Sequence, residues 1–222
     1  MTQITKARPG VAFLAAAIVC VAVALAAGLL LGTQLDDADV VDPPKSESVD
    51  AGFARDMKAH HAQAVEMSLL VRDATDDPDI RRLALDIMTT QQQQIGQMYA
   101  WLDLWNLSQT SNDSPMAWMP AGTATMDHDM TAMATGSQSM PGMATDEDLR
   151  RLAAAEGKAA EKLYLELMIP HHKGGVVMAR AAADAAETPQ VRRLAQGIVD
   201  AQSAEIRYLE RLLADRGGKI EE

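Results

Sequence analysis

The chain has 222 residues, 48 % of them hydrophobic but only 4 % aromatic, a balance that favours helices rich in Ala, Leu and Met over a β-sandwich or barrel. Its net charge of −11 argues against a nucleic-acid partner, because phosphate neutralisation needs a basic surface. The single cysteine, Cys20, excludes intramolecular disulfides, Cys-only zinc sites and two-cysteine redox motifs.

The first predicted element is a membrane segment. Residues 11–32 carry no charge, follow Lys6 and Arg8, and precede Asp36, Asp37 and Asp39. Their length suits a helix crossing roughly 30 Å of hydrocarbon. The basic flank puts residues 1–10 in the cytoplasm and the rest of the chain on the extracytoplasmic side. A cleaved signal peptide is the competing reading, with small-x-small sites at Ala22-Val23-Ala24 and Ala24-Leu25-Ala26. Apolar residues run on through Leu31, which favours an uncleaved single-pass anchor. Val19 is too bulky for the residue before a lipoprotein cysteine, so Cys20 reads as inert. Residues 33–49, with Pro43-Pro44 among Asp, Ser, Lys and Glu, read as a solvated tether.

An internal repeat organises the remaining chain. Met57-Lys58-Ala59-His60-His61 through Met67 aligns with Met168-Ile169-Pro170-His171-His172 through Met178. At the same constant offset Pro78-Asp79-Ile80-Arg81-Arg82-Leu83-Ala84 meets Pro189-Gln190-Val191-Arg192-Arg193-Leu194-Ala195, and Gln91 meets Gln202. Each copy reads as a helical hairpin. In residues 50–107, apolar positions recur at helical spacing on both sides of a break at Thr75-Asp76-Asp77-Pro78, where Asp77 suits an N-cap and Pro78 a first helical residue. In residues 146–216, one helix from about Leu149 or Lys158 ends near Ala186. Thr188-Pro189 repeats the cap-and-proline start, and Gly217-Gly218 supplies the stop before a tail at 217–222. Two amphipathic hairpins bury their apolar faces only by stacking, so the expected fold is all-α: a four-helix bundle of two duplicated hairpins behind an N-terminal transmembrane helix.

The chemistry lies in the repeated element. On a helix advancing about 100° per residue, Met57, His60, His61, Ala64 and Met67 fall within a sector of about 120°, as do Met168, His171, His172, Gly175 and Met178. Adjacent histidines point about 100° apart, so one is expected on the bundle axis and its neighbour at a seam or the surface. Imidazole suits copper, zinc, nickel and iron, whereas thioether selects Cu(I), so the mixed set points toward copper, with silver as a mimic. Di-iron chemistry is disfavoured because no Glu-x-x-His occurs. The competing reading makes the histidines and methionines satisfied core residues that duplication has copied. Pro170 removes one helical hydrogen bond beside His171, and Gly174 and Gly175 permit close helix approach or simply tune the crossing.

Between the hairpins, residues 108–145 hold Met116, Met119, Met126, Met130, Met133, Met140 and Met143, with His128. Gly, Ser, Thr, Pro and Ala fill the gaps, so no packed core is expected there. Half of the chain's methionines thus stand where little packs against them. Soft-metal binding is one reason for that placement; docking on a partner and scavenging of oxidants are the others.

Asp56-Met57-Lys58-Ala59-His60-His61, Trp118-Met119-Pro120, Met140-Pro141-Gly142-Met143 and Met168-Ile169-Pro170-His171-His172-Lys173-Gly174-Gly175-Val176-Val177-Met178-Ala179 together resemble the CopM-like "domain of unknown function 305" family of bacterial envelope proteins. The resemblance spans about residues 50–216. It implies a ferritin-like four-helix fold and envelope copper handling, with ligand roles at Met57, His60, His61, Met67, Met168, His171, His172 and Met178. Gly174 departs from the pattern, where a longer side chain is more usual, and is expected to loosen the helix.

These features converge on an anchored extracytoplasmic protein that sequesters or delivers copper without catalysis. Met116, Met119, Met126, His128, Met130, Met133, Met140 and Met143 form a secondary capture segment. The rival is a non-metal module docking on a membrane complex, such as a respiratory assembly, or on a second copy of itself. An enzyme is disfavoured, because no paired acid and base, nucleophile elbow or phosphate loop is found.

Overall fold

The computed structural model describes residues 42–119 and 140–218. The expected membrane span, and Met126, His128, Met130 and Met133, lie outside the described residues. The chain divides into Met1–Pro43 and Pro44–Glu222, and the second unit holds every described helix. Among the described residues there are five helices and no strand: α1 (Val49–Ala74), α2 (Pro78–Leu104), α3 (Asp146–Ala154), α4 (Gly157–Ala185) and α5 (Pro189–Asp215). No described helix is long and apolar enough to cross a membrane.

The helix ends follow local chemistry. Ser48 caps α1 by accepting from the Ala51 N–H at 3.2 Å. Asp77 caps α2 by accepting from Asp79 N and Ile80 N, with Pro78 in the first turn. Thr145 and Asp148 form a reciprocal capping box on α3. At the far end Gly217, with φ +68°, lets its N–H reach Ala214 O and the Gly218 N–H reach Leu213 O, which stops α5 with two backbone bonds.

One element settles an open choice and another departs from the sequence reading. Of the two starts expected for the third long helix, Leu149 and Lys158, the later one holds: α4 starts at Gly157, whose φ is +53°, and Leu149 lies in the separate α3, because the chain is extended at Ala155 and Glu156. Thr188 does stand at the N-cap of α5, but its side chain makes no cap bond to the helix. Its hydroxyl instead donates to Asp50, which also accepts from Glu187 N at 2.9 Å and Thr188 N at 2.8 Å. Asp50 is fully buried at the start of α1. Glu161, its repeat equivalent near the start of α4, accepts from the Thr75 hydroxyl and from Arg216 Nε, both at 2.6 Å. Each hairpin's leading helix therefore clasps the turn of the other hairpin. Removing the Asp50 carboxylate strands buried donors, so D50A is expected to destabilise the protein by about 3 kcal/mol, read as a lower urea midpoint at unchanged slope.

Helix α1 packs on α2, α4 on α5, and α1 on α4. One core cluster holds Phe53, Met57, Met98, Leu102, Met178, Ala182 and Ile198, and the other holds Met67, Val71, Ile80, Ile87, Tyr164, Met168 and Leu209. Early α1 residues thus share a cluster with late α4 residues, which makes α1 and α4 antiparallel. Between the clusters lies a buried polar layer: His60, His61, His171 and His172, with Gln91 and Gln202.

Candidate metal centre

The four bundle histidines are completely buried. Helical phase brings His60 of α1 against His171 of α4, with ring centroids 3.8 Å apart and planes inclined by 34°. Their neighbours turn the other way. The His61 Nε2 lies 2.7 Å from Gln94 Oε1 on α2, and the His172 Nε2 lies 2.8 Å from Glu205 Oε2 on α5. Adjacent histidines are therefore inequivalent, as the 100° step requires, but neither faces solvent as the sequence reading allowed.

Five of the eight ring nitrogens have no hydrogen-bond partner among the described residues: Nδ1 of His60, His61 and His172, and both nitrogens of His171. The side-chain amides of Gln91 and Gln202 are also buried and unpartnered there. Burial of polar atoms without partners costs roughly 1–3 kcal/mol each, so such a cluster offers its lone pairs to any group that can pair with them. Burial also holds three of these rings neutral. Desolvation lowers His60 to about 4 and His61 to about 3, and sets His171 well below its ordinary value, with neighbouring imidazoles adding to each shift. Neutral imidazoles with free lone pairs are the form that ligates a metal.

The sulfur donors flank this layer on both sides. Met57 and Met178 belong to one cluster, Met67 and Met168 to the other, and all four are fully buried. The eight residues expected as ligands thus share one buried stripe, but the methionines divide into two pairs with the histidines between. No three His, Cys, Asp or Glu side chains among the described residues stand close enough to enclose a metal ion. A zinc-type cage of imidazole and carboxylate is therefore not formed there. The donor set fits a soft ion bound by imidazole and completed by thioether.

The inter-hairpin segment is a partial correction. Residues expected to lack packing are held on the bundle at both described ends. Asp56 accepts from Met116 N at 2.7 Å and from Trp118 Nε1 at 2.8 Å, and the Trp118 ring stands edge-on to Phe53. Residues 140–144 form a strap. Gln63 grips Ala144 by donating to its O and accepting from its N, and the Pro141 carbonyl accepts from His60 Nε2 at 3.1 Å. Met140 is buried in the first cluster, with Met116 and Met143 packed against it. Met119 is half-buried.

The strap also explains two glycines. A Cβ on Gly174 would collide with the Pro141 carbonyl, and a Cβ on Gly142, where φ is +74°, with the Pro170 carbonyl. Gly174 thus admits the strap instead of loosening the helix, while Gly175 leaves room for Gln202 of α5. Sequence reasoning missed the partners Gln94 and Glu205 and the Pro141 carbonyl. Gln94 and Glu205 occupy equivalent positions of the two copies, so the repeat offset was the signal that could have found them.

Comparison with known proteins agrees with this architecture. The family profile described as "Domain of unknown function (DUF305)" matches residues 50–213. A DUF305 protein of Streptomyces coelicolor inferred to be secreted is 48 % identical, with a TM-score of 0.70 over 80 % of this chain and 99 % of its own. A DUF305 fragment from Deinococcus radiodurans is 32 % identical, with a TM-score of 0.61 over 78 % and 99 %. CopM in its Cu(I)-bound form is 25 % identical, with a TM-score of 0.55 over 75 % and 96 %, and CopM has also been solved with Cu(II) and with silver. No curated protein matches the chain significantly. With the profile covering most of the sequence and nearly all of its helical residues, this chain belongs to the DUF305 family.

Proposed function

We propose that this protein binds copper on the extracytoplasmic side of the membrane and buffers it or passes it on. The observation that carries the reading is the buried layer of unpartnered imidazole nitrogens between two methionine-bearing clusters. CopM, similar over three quarters of this chain, was solved with Cu(I) and with Cu(II), which supports the choice of metal. His171 would offer either nitrogen, and His60, His61 and His172 would offer Nδ1. Met57 and Met178 would supply sulfur at one end of the layer, and Met67 and Met168 at the other. The net charge of −11 favours accumulation of cations around the domain. The uncharged run at 11–32 behind Lys6 and Arg8 supports a single-pass anchor, and the secreted relative from Streptomyces supports the side of the membrane. The methionines of residues 108–145 would serve as a second, capturing set.

The test is titration of the soluble unit with Cu(I) and with Cu(II) against competing chelators. Changing His60, His61, His171 and His172 together to Ala is expected to weaken the bundle site by at least about 100-fold, since it removes every nitrogen donor. Unchanged stoichiometry and affinity in that variant would remove the bundle from the model of binding.

A further inference from the structure

The two halves of the centre are built at matching positions but not from matching residues. His61 faces Gln94, whereas its repeat equivalent His172 faces Glu205, the repeat equivalent of Gln94. The same offset relates two further exchanges. Phe53 becomes Tyr164, and Ala179 stands where the other copy has Ser68. The Tyr164 and Ser68 hydroxyls meet at 3.1 Å in the buried interior, and Glu205 lies close enough for its charge to help burial hold the Tyr164 proton. The polar replacements therefore accompany the exchange of Gln94 for Glu205, and Tyr164 feels the Glu205 charge. At the corresponding positions of the other half, Phe53 and Ala179 are apolar and fully buried.

Carboxylate and amide do different work against an imidazole. A carboxylate only accepts, so the 2.8 Å contact requires a proton on His172 Nε2, and in the neutral ring that places the lone pair on Nδ1. That Nδ1 is one of the buried nitrogens without a partner among the described residues. An amide can turn either its oxygen or its NH₂ to the ring, so Gln94 does not force a tautomer on His61. A carboxylate behind a ligating histidine also raises the basicity of the ligand and adds negative charge to the site. Extra negative charge favours a dication over a monocation at the same position.

Resting on the copper reading, we infer that Glu205 is a positioning residue that locks His172 for ligation through Nδ1 and biases its half of the centre toward Cu(II), while Gln94 leaves the His61 half suited to Cu(I). The duplicated centre is thus two unlike positions, one for each oxidation state.

Each copy supplies the control for the other. E205Q makes the second half like the first, and Q94E makes the first like the second. Affinities for Cu(I) and Cu(II) are measured separately by chelator competition for the wild type and both variants, alongside apo-protein melting and electron paramagnetic resonance of the Cu(II) form. E205Q is expected to weaken Cu(II) on the order of tenfold while Cu(I) moves by less than about threefold. Q94E is expected to tighten Cu(II) by a similar factor. A purely structural role for Glu205 would lower the melting temperature and leave the Cu(II)-to-Cu(I) affinity ratio where it was. Should E205Q fail to fold, Q94E decides the matter by itself. A wild type that binds both ions, with the ratio unmoved in the variants, overturns this inference alone. A wild type that binds neither ion overturns the copper reading together with it.

Discussion

Metal-free protein is expected to lose about 4 kcal/mol of stability between pH 7 and pH 5, from His60 and His61 together. The direction follows from where the protons go. In the unfolded chain both imidazoles titrate near 6.5, whereas in the fold desolvation lowers them to about 4 and about 3. A depressed folded value means that the unfolded state binds protons first as the solution is acidified. The stability these rings allow is fully present above 6.5 and is lost progressively as pH falls toward their folded values. At pH 5 each ring contributes about 2 kcal/mol to the loss, and His171, lowered in the same direction, deepens it. The helix caps behave differently. Asp77, held low first by the Ile80 N–H, and Asp148, held low first by the Thr145 hydroxyl, keep their contributions until the pH falls below the ordinary carboxylate value of 3.8. Chemical denaturation at pH 7, 6 and 5 checks this. A stability flat across that range would mean that water reaches the rings and that burial does not depress their protonation.

Replacing Gly174 by Ala is expected to cost about 2 kcal/mol, although Ala is the better helix former by about 1 kcal/mol. The added methyl meets the Pro141 carbonyl oxygen and carbon, which are backbone atoms that cannot swing aside like a side-chain tip. The strap must lift, and with it go the His60–Pro141 bond and the grip of Gln63 on Ala144. Gly96 and Gly197 lie within α2 and α5, where an added Cβ meets nothing within 4 Å. G96A and G197A are therefore expected to stabilise by about 0.5–1 kcal/mol each. Opposite signs from the same chemical change isolate the strap from helix propensity. Urea midpoints of the three variants give the comparison, and a stabilised G174A would show that the strap does not press on the helix.

The parts of this architecture readable from sequence are those governed by neighbours along the chain. The starts at Asp77-Pro78 and Thr188-Pro189, the stop at Gly217 and the common face of each His-His pair depend on residues within a few positions. The repeat offset also paired Gln91 with Gln202, though it gave no reason for an amide there. What escaped depends on contacts across the fold. Asp50 bonds to a helix start 138 residues away, and no local pattern announces it. The stacking of His60 on His171 needs α1 and α4 antiparallel at one register, which the repeat permits but does not impose. Composition misled in the inter-hairpin segment, where small polar residues suggested open chain but Met140 and Trp118 anchor it to the core. The tether likewise ends earlier than expected, since Arg55 donates to both the backbone and the hydroxyl of Ser46.

The two anchors of that segment have a consequence for how the family can vary. Asp56 holds its entry and Gln63 its exit, seven residues or roughly 10 Å apart along one helix. Chain leaving and rejoining a scaffold at neighbouring points is cheap to resize, since doubling its length adds only about 0.6 kcal/mol of closure entropy. Both anchors are made by side chains of one helix, so the hold on the segment's two described ends rests on the frame and not on the number of methionines between them.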